Sequence, residues 1–307
     1  MDDVLYLKHR PTTFKAVVGQ PDAVKTLAAM AKKRVFPHAL AFFGDSGCGK
    51  TTMARITATK LKCGKADFTE VNAAESRGID MVRQIQKRMG LSPIAGPVRV
   101  WLIDECHQLT AEAQGAFLKL LEDTPKHVYF MLCTTDPQKL KTTIKTRCTK
   151  IVVKPVKSRD MTILVERVAK VEGITLNEEV TEKIVECAEG SCRQALVSLN
   201  AIMGMDDPEE MLDAVSSADV EADAFDLAKM LMNAKCQWNT VAKKLKELDE
   251  HDPEGIRRMV MGFARGCLLG KGNHERAYNV LASFENNFFD SGKAGLARAC
   301  YEVVKGL

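Results

Sequence analysis

The chain has 307 residues, 46% hydrophobic and 27% charged, the composition of a soluble, core-forming chain long enough for two or three domains. No apolar run reaches the length of a membrane span, the opening "MDDVLYLKHRP" lacks the form of a secretory signal, and the ten cysteines include no CxxC pair, so a cytoplasmic chain with reduced thiols is expected rather than a membrane, disulfide or zinc protein. The net charge of +4 divides unevenly: residues 1–155 hold 25 Lys and Arg against 14 Asp and Glu, and residues 156–307 hold 19 against 26. A basic first half points to a polyanion larger than one nucleotide, with lysines that merely solvate helix faces as the alternative.

In chain order, residues 38–153 alternate short apolar runs with helical patterns. The runs "ALAFFG", "DFTEV", "VRVWLID", "VYFMLCTT" and "TKIVVK" predict five strands, and "GKTTMARITATKL" and "TAEAQGAFLKLLED" predict helices between them. Strands alternating with helices imply an α/β domain with a parallel sheet covered on both faces. After Pro155 the strand pattern stops. "SRDMTILVERVAKVEG", "NEEVTEKIVECAEG" and "SCRQALVSLNAIMG" predict three short helices, each closed by glycine. "MDDPEE" reads as a linker, and the acidic remainder reads as all-helical. The expected domains are 1–155, 156–204 and 205–307.

The chemistry concentrates after the first strand. Gly44, Asp45, Ser46, Gly47, Cys48, Gly49, Lys50 and Thr51 fit the GxxxxGK[ST] phosphate loop, followed by Thr52. Glycines let backbone N–H groups converge on phosphate oxygens, and the helix that starts there aims its positive end at the same anion. Lys50 would reach the terminal phosphates, and the Thr51 hydroxyl would hold magnesium. "VRVWLIDECH" supplies the acids: Asp104 at a strand tip for the metal, and Glu105 to polarise the attacking water. His107 reads as a structural polar residue. Thr135, at the end of "VYFMLCTT", is placed to read the γ-phosphate or hold the lytic water. Arg147 in "TIKTRC" is either a surface charge or a finger that neutralises charge during phosphoryl transfer.

Taken together, "YLKHRPTTFKAVVGQ", "GDSGCGKTT", "LIDECHQLT", "LLEDTPKHVYFMLCTTDPQKL", "TRC" and "GSCRQAL" resemble the ATPase subunit of DNA polymerase sliding-clamp loaders, within the AAA+ superfamily. The resemblance is greatest to the bacterial tau/gamma type, dense from Tyr6 to about Met203 and thin beyond. It implies an AAA+ P-loop NTPase domain, a three-helix lid and an all-α C-terminal collar. By the same resemblance, Lys50 and Thr51 are the Walker A pair, and Asp104 and Glu105 the Walker B pair. Thr135 is the first sensor, and Arg193 a second sensor on the lid. Arg147 is an arginine finger given in trans, with Thr146 where the family has serine. Val17 and Val18 fall in the segment that covers adenine. Arg77, Gly78 and Arg83 match a DNA-contacting segment, and Gln114 is assigned with them as a link between DNA and Glu105. The loop "RMGLSPIAGP" offers Met89, Leu91 and Ile94 to the clamp, against simple loop packing.

The resemblance implies ATP and Mg2+ as ligands. The implied partners are primer–template DNA, a sliding clamp, further copies of the chain with at least one different subunit in a five-membered spiral, and indirectly the DNA polymerase. The bacterial subunit carries a four-cysteine zinc module after the first helix of the phosphate loop. Here Cys63 alone remains in "KLKCGKADFTEV", so no zinc is expected, and the shorter build resembles loaders outside the cellular bacterial type, viral ones included. The rival readings are a branch-migration helicase, disfavoured by the acidic all-helical C-terminal part, and a non-catalytic scaffold subunit, disfavoured because the loop, acids, sensors and finger are all present.

Overall fold

A computed structural model describes residues 4–234, 236–249, 251–270 and 273–306, apart from the side chains of residues 217–223. The chain divides into two compact units, Met1–Gly204 and Met205–Leu307.

The first unit opens with α1 (Leu5–Lys8) and α2 (Pro21–Lys33) and then alternates strand and helix. The order is β1 (Ala39–Phe43), α3 (Lys50–Lys60), β2 (Phe68–Asn72), α4 (Ile79–Met89), β3 (Arg99–Asp104), α5 (Ala111–Glu122), β4 (Val128–Thr134), α6 (Thr142–Arg147) and β5 (Thr149–Val152). All pairings are parallel, in the order β2-β3-β4-β1-β5. The five expected strands are therefore the five observed ones.

Side chains alternate across the sheet and feed two cores. Ala41, Trp101, Ile103, Phe130 and Leu132 face α4, α5 and α6 through Val82, Ile85, Phe117, Leu120 and Ile144. Leu40, Phe42, Val100, Leu102, Met131 and Cys133 face α2 and α3 through Leu27, Met53, Ala54 and Ile56. Burial on both faces explains why these strands read as continuous apolar runs. A fully buried side chain such as Phe130 contributes about 1.5–3 kcal/mol.

Three helices complete this unit: α7 (Ser158–Glu172), α8 (Glu178–Cys187) and α9 (Cys192–Ala201). Met161, Leu164, Val165, Val168 and Ala169 form the buried stripe of α7, which ends on left-handed Gly173 at φ 71°. Asn177 and Ser191 cap α8 and α9 by accepting hydrogen bonds from Val180 and Gln194 backbone N–H groups. α1 packs on α9.

The second unit contains α10 (Pro208–Met232), α11 (Trp238–Glu247), α12 (Pro253–Leu269), α13 (His274–Ser283) and α14 (Gly292–Lys305). Its core includes Leu227, Leu231, Val260, Phe284, Phe288 and Val303. One buried carboxylate organises the start of α12. Glu254 takes both arms of Arg257, at 2.7 and 2.8 Å, and accepts the Phe288 backbone N–H at 3.0 Å. Arg257 also donates to the Phe284 carbonyl at 3.0 Å, so the pair staples α12 to the turn after α13.

The Arg257 hydrogen bonds hold the Glu254 carboxyl down to about 2, below its ordinary 4.5, against the opposing effect of burial. A depressed carboxyl contributes stability above its unfolded value, and the contribution disappears as pH falls from about 4.5 toward about 2. Glu254→Gln is expected to lower the thermal midpoint at pH 7, and its gap from the parent should shrink across that window. A gap independent of pH in parallel melts of the two full chains contradicts this role.

Candidate nucleotide site

The site forms at the carboxyl ends of β1 and β3, in the crevice that parallel α/β sheets open beside a change in strand order. β1 ends at Phe43, and the loop Gly44–Gly49 leads into α3, whose first residue is Lys50. Two glycines are obligatory by geometry. A Cβ on Gly44 would lie 2.0 Å from the Val153 carbonyl oxygen, and one on Gly47, at φ 73°, would lie 1.9 Å from Ser191 Oγ. The loop is thus threaded between β5 and the start of α9.

Gln20 locks this arrangement. Its amide donates to the Lys154 and Cys48 carbonyls and accepts from the Lys154 N–H. The Cys48 thiol is directed at the Gly190 carbonyl, 3.6 Å away.

The reactive side chains follow. Lys50 is buried and spans the loop to the Asp45 carbonyl at 2.8 Å. Thr51 Oγ1 donates to Asp104 Oδ2 at 2.9 Å, joining the loop helix to the tip of β3. Asp104 Oδ1 accepts the Glu105 N–H at 3.0 Å. Glu105 sits in the left-handed region at φ 48°, a conformation that costs a non-glycine residue on the order of 1 kcal/mol or more and turns its side chain out of the strand. Its Oε2 accepts the Thr135 hydroxyl at 3.2 Å and lies 3.3 Å from His107 Nδ1. Burial lowers the His107 pKa despite the pull of Glu105, so the ring is neutral at neutral pH. It also contacts Thr134 Oγ1 at 3.0 Å, in keeping with the structural role expected of it.

These groups open onto one cleft. Val17, Val18, Ser46, Gly47, Cys48, Gly49, Lys50, Thr51, Thr52, Asp104, Glu105 and Arg193 all line it. Gly44 and Asp45 shape the loop from behind, and Thr135 reaches the site through Glu105.

Sequence reasoning named none of the remaining wall residues individually, although Arg10 and Pro11 lie in the segment it set over the adenine. Tyr6, Arg10 and Pro11 enter from the N-terminal segment, with Arg193 lying 5.9 Å from the Tyr6 ring centre. Arg10 is held below its ordinary pKa by burial and by the nearby cations Arg55 and Arg193. Leu164, Arg167, Cys192 and Leu196 come from α7 and α9. Leu164 and Arg167 are one turn apart, as are Arg193 and Leu196, a spacing that could have flagged two paired faces.

The fit to ATP is physical: a tight loop whose Gly44 and Gly47 leave no room for a Cβ against Val153 and Ser191, a helix N-terminus, and Lys50, Arg10, Arg167 and Arg193 lining one cleft. The hard oxygens of Thr51 and Asp104 suit magnesium.

Other expected residues lie elsewhere. Arg147 is at the end of α6, outside this cleft, donating to Glu122 Oε1 and the Thr143 carbonyl. Arg77 and Gly78 are exposed where α4 begins, and Arg83 is exposed and paired with Asp80. Gln114, expected with them, is corrected. It is 4% exposed, donates to the Leu109 and Lys139 carbonyls and accepts the Lys141 N–H, so it bridges α5 to the segment after Thr135 and presents no surface. Met89 is corrected too. It continues the buried Val82–Ile85 face of α4, whereas Leu91 and Ile94 are exposed. A buried ion pair shapes their loop: Asp67 accepts the Ile94 and Ala95 N–H groups and pairs with Arg99.

Fold and site together define an AAA+ P-loop NTPase domain. Solved structures of Thermotoga maritima RuvB share the fold at 18% identity. One superposes with a TM-score of 0.61 over 79% of this chain and 88% of that one. Another, described as a Holliday junction branch migration motor, gives 0.59 over 77% and 85%.

In sequence, residues 65–157 match the family model described as DNA polymerase III, delta subunit. The Bacillus subtilis DNA polymerase III subunit tau is 33% identical over 217 residues, 64% of this chain and 38% of that protein. The Escherichia coli K12 subunit tau is 32% identical over 235 residues, 70% of this chain and 36% of that protein. The Mycobacterium tuberculosis H37Rv gamma/tau subunit is 31% identical over 222 residues, 65% and 38%. This chain therefore spans less than two-fifths of the length of these curated relatives. Over the shared stretch it is tau/gamma-like, as its motifs imply.

Gly47→Ala is expected to weaken ATP binding at least about tenfold, because the methyl collides with the α9 cap and the backbone is strained. Titration with a fluorescent ATP analogue checks this, and parent-like affinity contradicts the threading of the loop.

Proposed function

We propose that this chain is an ATP-hydrolysing subunit of a clamp loader, which places a ring-shaped clamp on primer–template DNA during replication in the cytoplasm. Residues 1–155 bind nucleotide, 156–204 form the lid and 205–307 form a collar that joins subunits. The observation that carries the reading is a divided catalytic set. Thr51, Asp104, Glu105 and Thr135 converge on one cleft, while Arg147 stands outside it on the surface of the same unit.

Lys50 and the loop N–H groups hold the phosphates, Glu105 orients and polarises the lytic water, and Thr135 and neutral His107 orient Glu105. Magnesium held by Thr51 and Asp104 would offset phosphate charge. Val17, Val18, Leu164 and Leu196 supply apolar contact for the base, and Arg193 contacts the nucleotide from the lid. Arg147 completes the site of a neighbouring copy. Arg77, Gly78 and Arg83 track DNA phosphates without reading bases, and Leu91 and Ile94 meet the clamp. Together with at least one different subunit, the copies form a five-membered spiral that cooperates with the DNA polymerase.

RuvB is similar in fold alone, and every regular element described in the second unit is a helix, which gives the branch-migration reading no specific support. Glu105→Gln is expected to retain ATP binding and to lower turnover by about a hundredfold or more. Near-normal turnover removes Glu105 from the mechanism. ATPase rates with primed DNA, with a sliding clamp and with both should rise more than additively; purely additive rates argue against clamp loading.

A further inference from the structure

The geometry points to Glu122 as the residue that positions Arg147 for its work at a neighbouring site, an inference that rests on the trans role proposed for Arg147. The backbone of Arg147 is fixed by what flanks it. Ile144 and Cys148 are buried in the core that also holds Phe117 and Leu120, so α6 is anchored against α5 on both sides of the arginine. A long side chain on a fixed backbone still has several rotamers, and ordering it costs up to about 2 kcal/mol. Two contacts remove that freedom: Nη1 donates to the Thr143 carbonyl at 3.2 Å, and Nη2 donates to Glu122 Oε1 at 2.5 Å.

Glu122 is the last residue of α5, and its carboxylate is 43% exposed, as Arg147 is 39% exposed. An exposed pair of this kind adds little to folding stability, typically about 0–1 kcal/mol. Its consequence is directional. A guanidinium has five N–H donors in one plane, and these contacts engage each terminal nitrogen once. The remaining donors stay available for phosphate oxygens while Glu122 keeps the plane oriented. Glu122 therefore touches no nucleotide and acts through Arg147.

The test mixes two variants of the full chain, assembled with the different subunit, with ATP, magnesium and primed DNA. Arg147→Ala keeps its own cleft and lacks the finger, and Lys50→Ala keeps the finger and lacks a working cleft. Each alone should be nearly inactive, and the mixture should recover hydrolysis. Adding Glu122→Ala to the finger donor is expected to lower the recovered kcat about fivefold with KM for ATP unchanged, and Glu122→Gln, which keeps an acceptor oxygen, should lose less. Adding Glu122→Ala to the Arg147→Ala chain instead should change nothing. Unchanged or increased kcat with Glu122→Ala on the finger donor overturns the positioning role while leaving the trans reading intact. Failure of the simple mixture to recover any activity overturns the trans reading, and this inference with it.

Discussion

A single hydrogen bond, 2.9 Å from Thr51 Oγ1 to Asp104 Oδ2, ties together two strands that do not touch. β1, which delivers the phosphate loop, and β3, which delivers the acids, are separated by β4. The bond forms because the parallel register brings the strand tips level. Phe43 pairs with Thr134, Ile103 pairs with Leu132, and the Gly44 N–H donates to the Thr134 carbonyl. A slip of one residue would turn Asp104 to the opposite face and leave Thr51 without its partner. The alternating burial of Leu40 and Phe42 on one side and Ala41 on the other fixes that register, so the site depends on the core beneath it.

The same site is also closed from outside the sheet. Gly47 lies against Ser191, Cys48 against Gly190, and Gln20 connects the loop to the exit of β5. Any movement of the three-helix segment therefore reaches the phosphate loop directly. Arg167 and Arg193 line the cleft from the three-helix segment, and Arg10 lines it from the N-terminal segment.

Local patterns made the parallel sheet, the phosphate loop and the paired acids legible, because strand alternation, glycine spacing and strand-end acids are short-range signals. Thr51, Asp104 and Glu105 therefore met as expected. What escaped depended on tertiary approach. Tyr6 and Arg10 stand in the motif "YLKHRPTTFKAVVGQ" but were given no role there, and Arg167 carries no motif; they reach the cleft beside the packing of α1 on α9 and of α7 on α9. Gln114, expected as a link between DNA and Glu105, is buried, with three backbone partners that no local pattern announces. Met89 had a readable signal, the spacing from Val82 and Ile85, that places it on the buried face.

On the proposed reading, Arg147 works at a neighbouring copy's cleft, and assembly is part of the chemistry. The most direct measurement is ATP turnover per chain over a dilution series, with the oligomeric state followed in parallel by light scattering. Completion of the site by a neighbour predicts that turnover per chain falls toward zero as assemblies dissociate to monomers. Constant turnover through complete dissociation would contradict it.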